Sequence, residues 1–215
     1  TSRPQPSALS WSLQGEGLAC LDPASGRLNP NEAGVGEERI VHDPWRPVPA
    51  IGGHLSPSSG PADRQSLDAR SDVATFTTAP LDEPIALSGQ PQLQIRAGAD
   101  QPGFDLCLVL SRLPQGSAAV EQLSSGVLRV LGAEAEQMVE RRVLLQPLLV
   151  TCSAGDRLRL SIAAAAWPAI GVNPGTPEHP CAAPSANHHV VTMTLDLAGS
   201  LLSLNPFNSG RLSLD

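Results

Sequence analysis

Between Val41 and Val73 the chain reads VHDPWRPVPAIGGHLSPSSGPADRQSLDARSDV, with five prolines and three glycines set among acidic residues and arginines. Proline fixes φ and cannot donate a backbone hydrogen bond, while glycine reaches positive φ at little cost. The run is therefore a shaped loop, neither a helix nor a central strand. Loops of this length are uncommon in compact domains unless they serve a purpose. It stops where VATFTT begins, a segment with β-branched and aromatic strand composition.

From Val73 onward the apolar period is close to two. Leu93, Ile95 and Ala97 fall on one face while Gln92, Gln94 and Arg96 take the other. Leu106, Leu108 and Leu110 alternate with Cys107, Val109 and Ser111, so both faces of that segment are expected to be covered. Gly126–Leu131, Arg141–Val150, Arg157–Ala163 and His189–Leu197 continue the pattern. Strand-like runs separated by Pro/Gly turns predict an all-β, jelly-roll-like two-sheet sandwich with long loops and at most short helices. Residues 1–8 read as a flexible lead-in and 9–215 as a single domain. Leu9, Trp11 and Leu13, followed by Leu18, Cys20 and Leu21, suggest an opening hairpin, and Asp22–Glu38 reads as loop. Ala133–Glu140 has helix-forming composition but is too short for an independent helix, so a turn or short helix is expected there.

Composition narrows the function. The net charge of −7 argues against nucleic acid, which needs a basic footprint. Charges are spread thinly and read as a solvated surface. No run approaches the ~20 apolar residues of a membrane span, and no basic-then-apolar leader opens the chain, so no membrane partner is expected. All fourteen basic residues are arginine, which removes Schiff-base lysines, the P-loop and any Ser-x-x-Lys nucleophile. The 19 glycines and 21 prolines of 215 residues stay below the roughly 25–30% that marks disorder.

Candidate chemistry is sparse. There is no Gly-x-Ser-x-Gly elbow, and His42-Asp43 has no nucleophile attached, so no catalytic residue is assigned. His179, Cys181, His188 and His189 fall in a proline-broken loop and read as surface rather than as metal ligands; no metal and no cofactor is expected. Cys20, Cys107, Cys152 and Cys181 form no C-x-x-C pair. They read as unpaired thiols in a reducing compartment, which points to the cytoplasm, with a disulfide as the alternative. Trp45 and Trp167 each adjoin a proline. They either anchor loops or meet a neighbouring domain, where large aromatics concentrate. Arg157 and Arg159 are expected in ion pairs.

Six motifs in order carry a resemblance. They are Asp43-Pro44-x-x-Pro47-Val48-Pro49-x-x-Gly52-Gly53; Gly60-Pro61-Ala62-Asp63-Arg64 leading to Arg70-Ser71-Asp72-Val73; and Thr75-Phe76-Thr77 with Leu81. Ala99-Asp100 … Phe104-Asp105 and Leu123 … Gly126-Val127-Leu128-Arg129 follow, then Ala154–Ile162 with Trp167-Pro168 and Asn173-Pro174-Gly175-Thr176. From about Arg39 to Pro206 the chain resembles the C-terminal, non-catalytic domain of the cocaine-esterase / X-Pro dipeptidyl-peptidase family of α/β-hydrolases. That family includes acyl-ester and amide hydrolases and X-Pro dipeptidyl-peptidases. The resemblance implies a partner, an N-terminal α/β-hydrolase domain of the same polypeptide that carries the Ser/Asp/His triad. This chain would pack on it and help wall its cleft. The implied interdomain or cleft-facing residues are Asp43, Pro44, Trp45, Pro47, Pro49, Gly52, Gly53, His54, Leu55 and Trp167, with Ser56 beside them. Two alternatives remain open at this stage: a free-standing carbohydrate-binding module, poorly supplied with aromatics, and an oligomerising module that pairs as a homodimer.

Overall fold

The computed structural model describes residues 9–53, 59–182 and 184–205. Eleven strands and two short helical turns make up its regular structure: β1 Leu9–Gln14, β2 Arg27–Asn29, β3 Glu37–His42, α1 Gln65–Asp68, β4 Val73–Thr77, β5 Ile85–Ala99, β6 Gly103–Leu113, β7 Glu121–Leu131, β8 Val139–Leu144, β9 Leu148–Cys152, β10 Arg157–Ala163, a 3-10 turn at Ser185–Asn187, and β11 Val191–Asn205.

Two sheets face each other across one core, and β1 belongs to both. In the first sheet β5 lies between β11 and β8, with β9 extending the β8 side along Ile85–Gly89. On its far side β11 pairs with β3 through Val191–Asp196 and with the start of β1 through Leu202–Leu204. The second sheet runs β7-β6-β10-β4-β2-β1. Leu9–Trp11 pair with β11, and Ser12–Gln14 pair with β2. Every pairing between these strands is antiparallel except β2 with β4, which touch in parallel at Arg27 and Thr77 alone. The expected two-sheet sandwich is present, stitched at one corner.

The inward faces follow the sequence pattern. Leu93, Ile95, Ala97, Met193 and Leu195 of the first sheet meet Phe76, Phe104, Leu106, Leu158 and Leu160 of the second in one buried cluster. Burying a side chain of this size contributes ~1.5–3 kcal/mol, so this cluster is the main favourable term in folding. On β6 the alternate residues are buried as well, because a second layer covers the outer face of that sheet.

Three local readings need correction. The partner of β1 is β2, inside the segment read as loop, while Leu18–Leu21 form a turn; β2 has only three residues and owes its existence to pairing with Leu13 rather than to propensity. Arg141–Val150 is two strands, parted at Gln146-Pro147 because proline cannot continue the ladder. The Val41–Val73 run is not wholly loop: His42 ends β3 and Gln65–Asp68 form one helical turn. Ala133–Glu140 is a turn that leads into β8, one of its two expected forms. The lead-in before Leu9 lies outside the described residues.

Gly126 shows how tightly the sheets close. A Cβ there would sit 2.2 Å from the Leu144 carbonyl oxygen and 2.9 Å from the Leu145 Cα, both backbone atoms that cannot swing aside. Gly126→Ala is therefore expected to lower stability by about 1–3 kcal/mol, the usual cost of overpacking. A shift in the urea midpoint without a change in m checks this.

Candidate functional site

The outer face of the second sheet presents Val73, Cys107 and Ala163, and Val48 and Ala165 pack onto them, with Ala166 and Ile170 at the margin. Two chain segments make this layer: Asp43–Gly53, and the stretch from Ala164 to Thr176. The Trp167 N–H donates to the Val48 carbonyl at 3.0 Å, and the Ala50 N–H donates to the Trp167 carbonyl at 2.7 Å. Pro49 and Trp167, distant in sequence, are thereby bridged side by side.

Each turn of the layer has a chemical cause. The Asp43 carboxylate accepts from the Trp45 N–H at 3.0 Å, and the Arg46 N–H donates to the Asp43 carbonyl at 2.9 Å. Asp, then Pro44, at the first two positions is the composition a type I turn favours. Gly52 and Gly53 both hold left-handed backbone, with φ of 58° and 69°. A Cβ on Gly52 would lie 2.5 Å from the Ala62 Cβ, and one on Gly53 would lie 2.6 Å from the Gln122 amide nitrogen. Gly53 and Gly60 then exchange both backbone hydrogen bonds, at 2.8 and 3.1 Å, closing the excursion between them. His54 and Leu55, with Ser56, lie outside the described residues.

The rest of the layer is pinned by polar ties. Asp63 accepts from the Val120 and Gln65 N–H groups at 2.9 and 3.0 Å, which holds its carboxyl below the usual range. The Arg64 N–H donates to the Val120 carbonyl and the Gln122 N–H to the Ala62 carbonyl, so Gly60–Arg64 extends the edge at β7. Arg70 forks onto Asp72 at 2.7 and 2.6 Å and reaches the Arg46 carbonyl at 3.0 Å.

Beneath the second segment, Asp105 is fully buried and accepts from Arg129 Nε and Nη2 at 2.8 and 2.7 Å and from Asn173 Nδ2 at 2.9 Å. Asn173 Oδ1 in turn accepts from the Gly175 N–H, and the Asn173 carbonyl meets His42 Nε2 at 3.2 Å. Glu38 is also buried and accepts from the Gly17 and Ala19 N–H groups; burial raises its pKa, and those hydrogen bonds oppose the rise. Arg159 contacts Asp68 at 3.5 Å and donates to Thr77 Oγ1 at 2.9 Å, while among the described residues Arg157 has no ion pair. The expectation of a wholly solvated set of charges is thus corrected: Glu38, Arg64, Asp68 and Asp105 are buried, each with polar company. The apolar context of Asp105 in GFDLCLVL was the available signal.

The cleft-facing candidates divide into anchors and projections. Pro44 and Gly52 are buried; Asp43, Pro47, Pro49 and Gly53 are half-buried. Trp45 and Trp167 stand 57% and 53% exposed on this rigid base, Trp45 tilted against His188 with ring centres 6.0 Å apart. Among the described residues no catalytic constellation accompanies them. Among the described residues no serine hydroxyl meets a histidine ring, and Ser161 instead donates to Asp68 at 2.9 Å. Nor do three His, Cys, Asp or Glu residues gather closely enough among the described residues to hold a metal ion. The four cysteines are unpaired, and burial pushes the Cys20 thiol up to about 12 and the Cys107 thiol well above its usual value.

Residues 2–196 match the family model described as the X-Pro dipeptidyl-peptidase C-terminal non-catalytic domain. The chain belongs to this family. The match begins well before Arg39, where the motifs had suggested, and so takes in β1 and β2. The cocaine esterase of Rhodococcus sp. (strain MB1 Bresler) is 29% identical over 156 residues, which are 70% of this chain and 25% of the esterase. Among solved structures, an aminopeptidase from a marine sediment Thaumarchaeota archaeon superposes with a TM-score of 0.76 at 16% identity, covering 92% of this chain and 36% of that one. An α-amino acid ester hydrolase gives 0.74 at 19% identity, covering 95% and 38%. These likenesses establish the fold. The chain spans about a quarter of the curated relative it matches and under two-fifths of those structures.

In this family fold the neutral state of His42 has a thermodynamic signature. Burial lowers its pKa below the ordinary 6.5, opposed by the bond to Asn173 and by Asp105, Asp72 and Asp43. The unfolded chain takes up a proton as pH falls below about 6.5, whereas the folded chain resists it until its own lower pKa is reached. Stability contributed by neutral His42 is thus present above pH ~6.5 and lost below it, with a slope of up to ~1.4 kcal/mol per pH unit. Chemical denaturation between pH 7.5 and 5.5 should show wild type losing more stability than His42→Gln; parallel profiles would refute the assignment.

Proposed function

We propose that this non-catalytic domain buttresses an α/β-hydrolase domain of the same polypeptide and presents its outer loop layer to that domain's cleft. The observation that carries the reading is the pair Trp45 and Trp167, more than half exposed on a base locked from below by Asp105, Arg129 and Asn173. Large aromatics on a preorganised surface favour binding because little order remains to be imposed. Partial coverage of the hydrolases above supports the same assignment. A within-chain interface typically buries ~600–1,500 Å². If about half of ~1,000 Å² is apolar, burial contributes on the order of 10 kcal/mol gross, before ordering and desolvation offset much of it. Four unpaired thiols support folding in a reducing compartment, and we assign the domain to the cytoplasm on that ground.

The isolated chain should hydrolyse neither p-nitrophenyl acyl esters nor an X-Pro chromogenic dipeptide. Turnover abolished by a serine-directed inhibitor would overturn the reading. In the complete hydrolase, Trp45→Ala with Trp167→Ala should lower kcat/KM or thermal stability while the far-ultraviolet circular dichroism spectrum stays that of wild type; wild-type values for both would remove the loop layer from the interface.

A second reading, self-association, draws on a different edge. Leu144 and Leu149 are 53% and 81% exposed on β8 and β9, at the border of the first sheet. Edge strands with exposed leucines are surfaces that pair with another copy. Sedimentation should show a dimer at high concentration that Leu149→Asp disperses; a monomer throughout would rule this out.

A further inference from the structure

The ion pairs of the outer layer are mostly one to one: Asp105 with Arg129, Asp72 with Arg70, Glu121 with Arg112. Asp68 breaks the pattern. It lies 3.6 Å from Arg64 Nε and 3.5 Å from Arg159 Nη1, so two guanidinium groups share one carboxylate. Arg159 also has Thr77 Oγ1. Arg64 is far worse served. It is 4% exposed, and among the described residues its Nε has no hydrogen-bond partner and its side chain makes one hydrogen bond, a long 3.4 Å contact from Nη1 to Gln122 Oε1. A guanidinium carries five donors and stays protonated in proteins. Burying one this poorly satisfied costs several kcal/mol unless something else pairs with it.

Arg64 lines a cavity of about 50 Å³ beneath Val48–Gly52, walled by Val127, Ala163, Ala165 and Ile170, with Gln122, Ser125 and the Cys107 thiol as its other polar groups. One water-sized sphere needs ~10–15 Å³ on this measure, so the space holds a halide or a carboxylate group.

We infer that the cavity under the Val48–Gly53 loop is a binding site for one small monovalent anion, a halide or a carboxylate, held by Arg64 with Gln122 and Ser125. The anion supplies the second negative charge that the Arg64–Asp68–Arg159 group lacks and fastens the loop to the sheet. This inference does not depend on the domain's packing against a hydrolase, because every group in it belongs to this chain.

Chloride-35 linewidths in the presence of the 215-residue chain test it directly. Wild type should broaden the chloride signal, acetate should displace that broadening, and the melting temperature should rise with either salt by mass action. Arg64→Gln should lose both effects while Arg64→Lys, which keeps the charge, retains part of them. Ser125→Leu should lose them too by filling the cavity with Arg64 intact, and it serves if Arg64→Gln does not fold. Broadening in wild type no greater than in Ser125→Leu, or unaffected by acetate, would overturn the site and leave water as the partner of Arg64.

Discussion

The outer layer depends on a carboxylate taken wholly out of water. Asp105 is on β6, Arg129 on β7 and Asn173 on the segment that returns across the sheet. Removing a carboxylate from solvent is costly unless its lone pairs are met by well-placed donors. A bidentate guanidinium and an amide meet that need here, and their geometry is directional. The bond therefore fixes where the 164–176 strap lies, and the strap fixes Trp167 and, through Val48 and Ala50, the Asp43–Gly53 loop. Apolar contact among Val48, Cys107 and Ala163 fills the layer, but it is not directional and could not choose the register.

Much of this was visible in sequence, and the boundary of what was visible has physical reasons. Alternation at Leu93, Ile95 and Ala97 reports a half-buried strand because each side chain answers to its own face. The double coverage of Leu106–Leu110 was legible for the same reason, although what covered it was not. β2 escaped because three residues carry no period; its order comes from Leu13 across the ladder. The break at Pro147 was readable in principle, since proline interrupts pairing, but the flanking apolar residues masked it.

The site shows the same division. The motifs placed Asp43, Pro47, Pro49, Gly52, Gly53 and Trp167 in one region, and the structure brings those segments together through the backbone contacts of Val48, Ala50 and Trp167. Paired glycines announced left-handed backbone, and both adopt it. Hidden charges were another matter. Asp68 and Asp105 look like surface residues one at a time, because their burial depends on partners far along the chain. Asp68 needs Ser161 and Arg159; Asp105 needs Arg129 and Asn173. Such a partnership has no local spacing to betray it.

The strand shared by the two sheets has a consequence for how the chain reaches its folded form. Leu9 lies opposite Leu204, and Trp11 opposite Leu202, so almost the first residues described are paired with almost the last. Contacts this remote in sequence incur loop-closure entropy before they return any burial, and folds dominated by them are slow to form. During synthesis the corner at β1 must wait, its backbone groups unsatisfied on one side, until β11 emerges. A ribosome stalled before Val191 would therefore carry a second sheet capable of forming, but a first sheet with its central strand still missing.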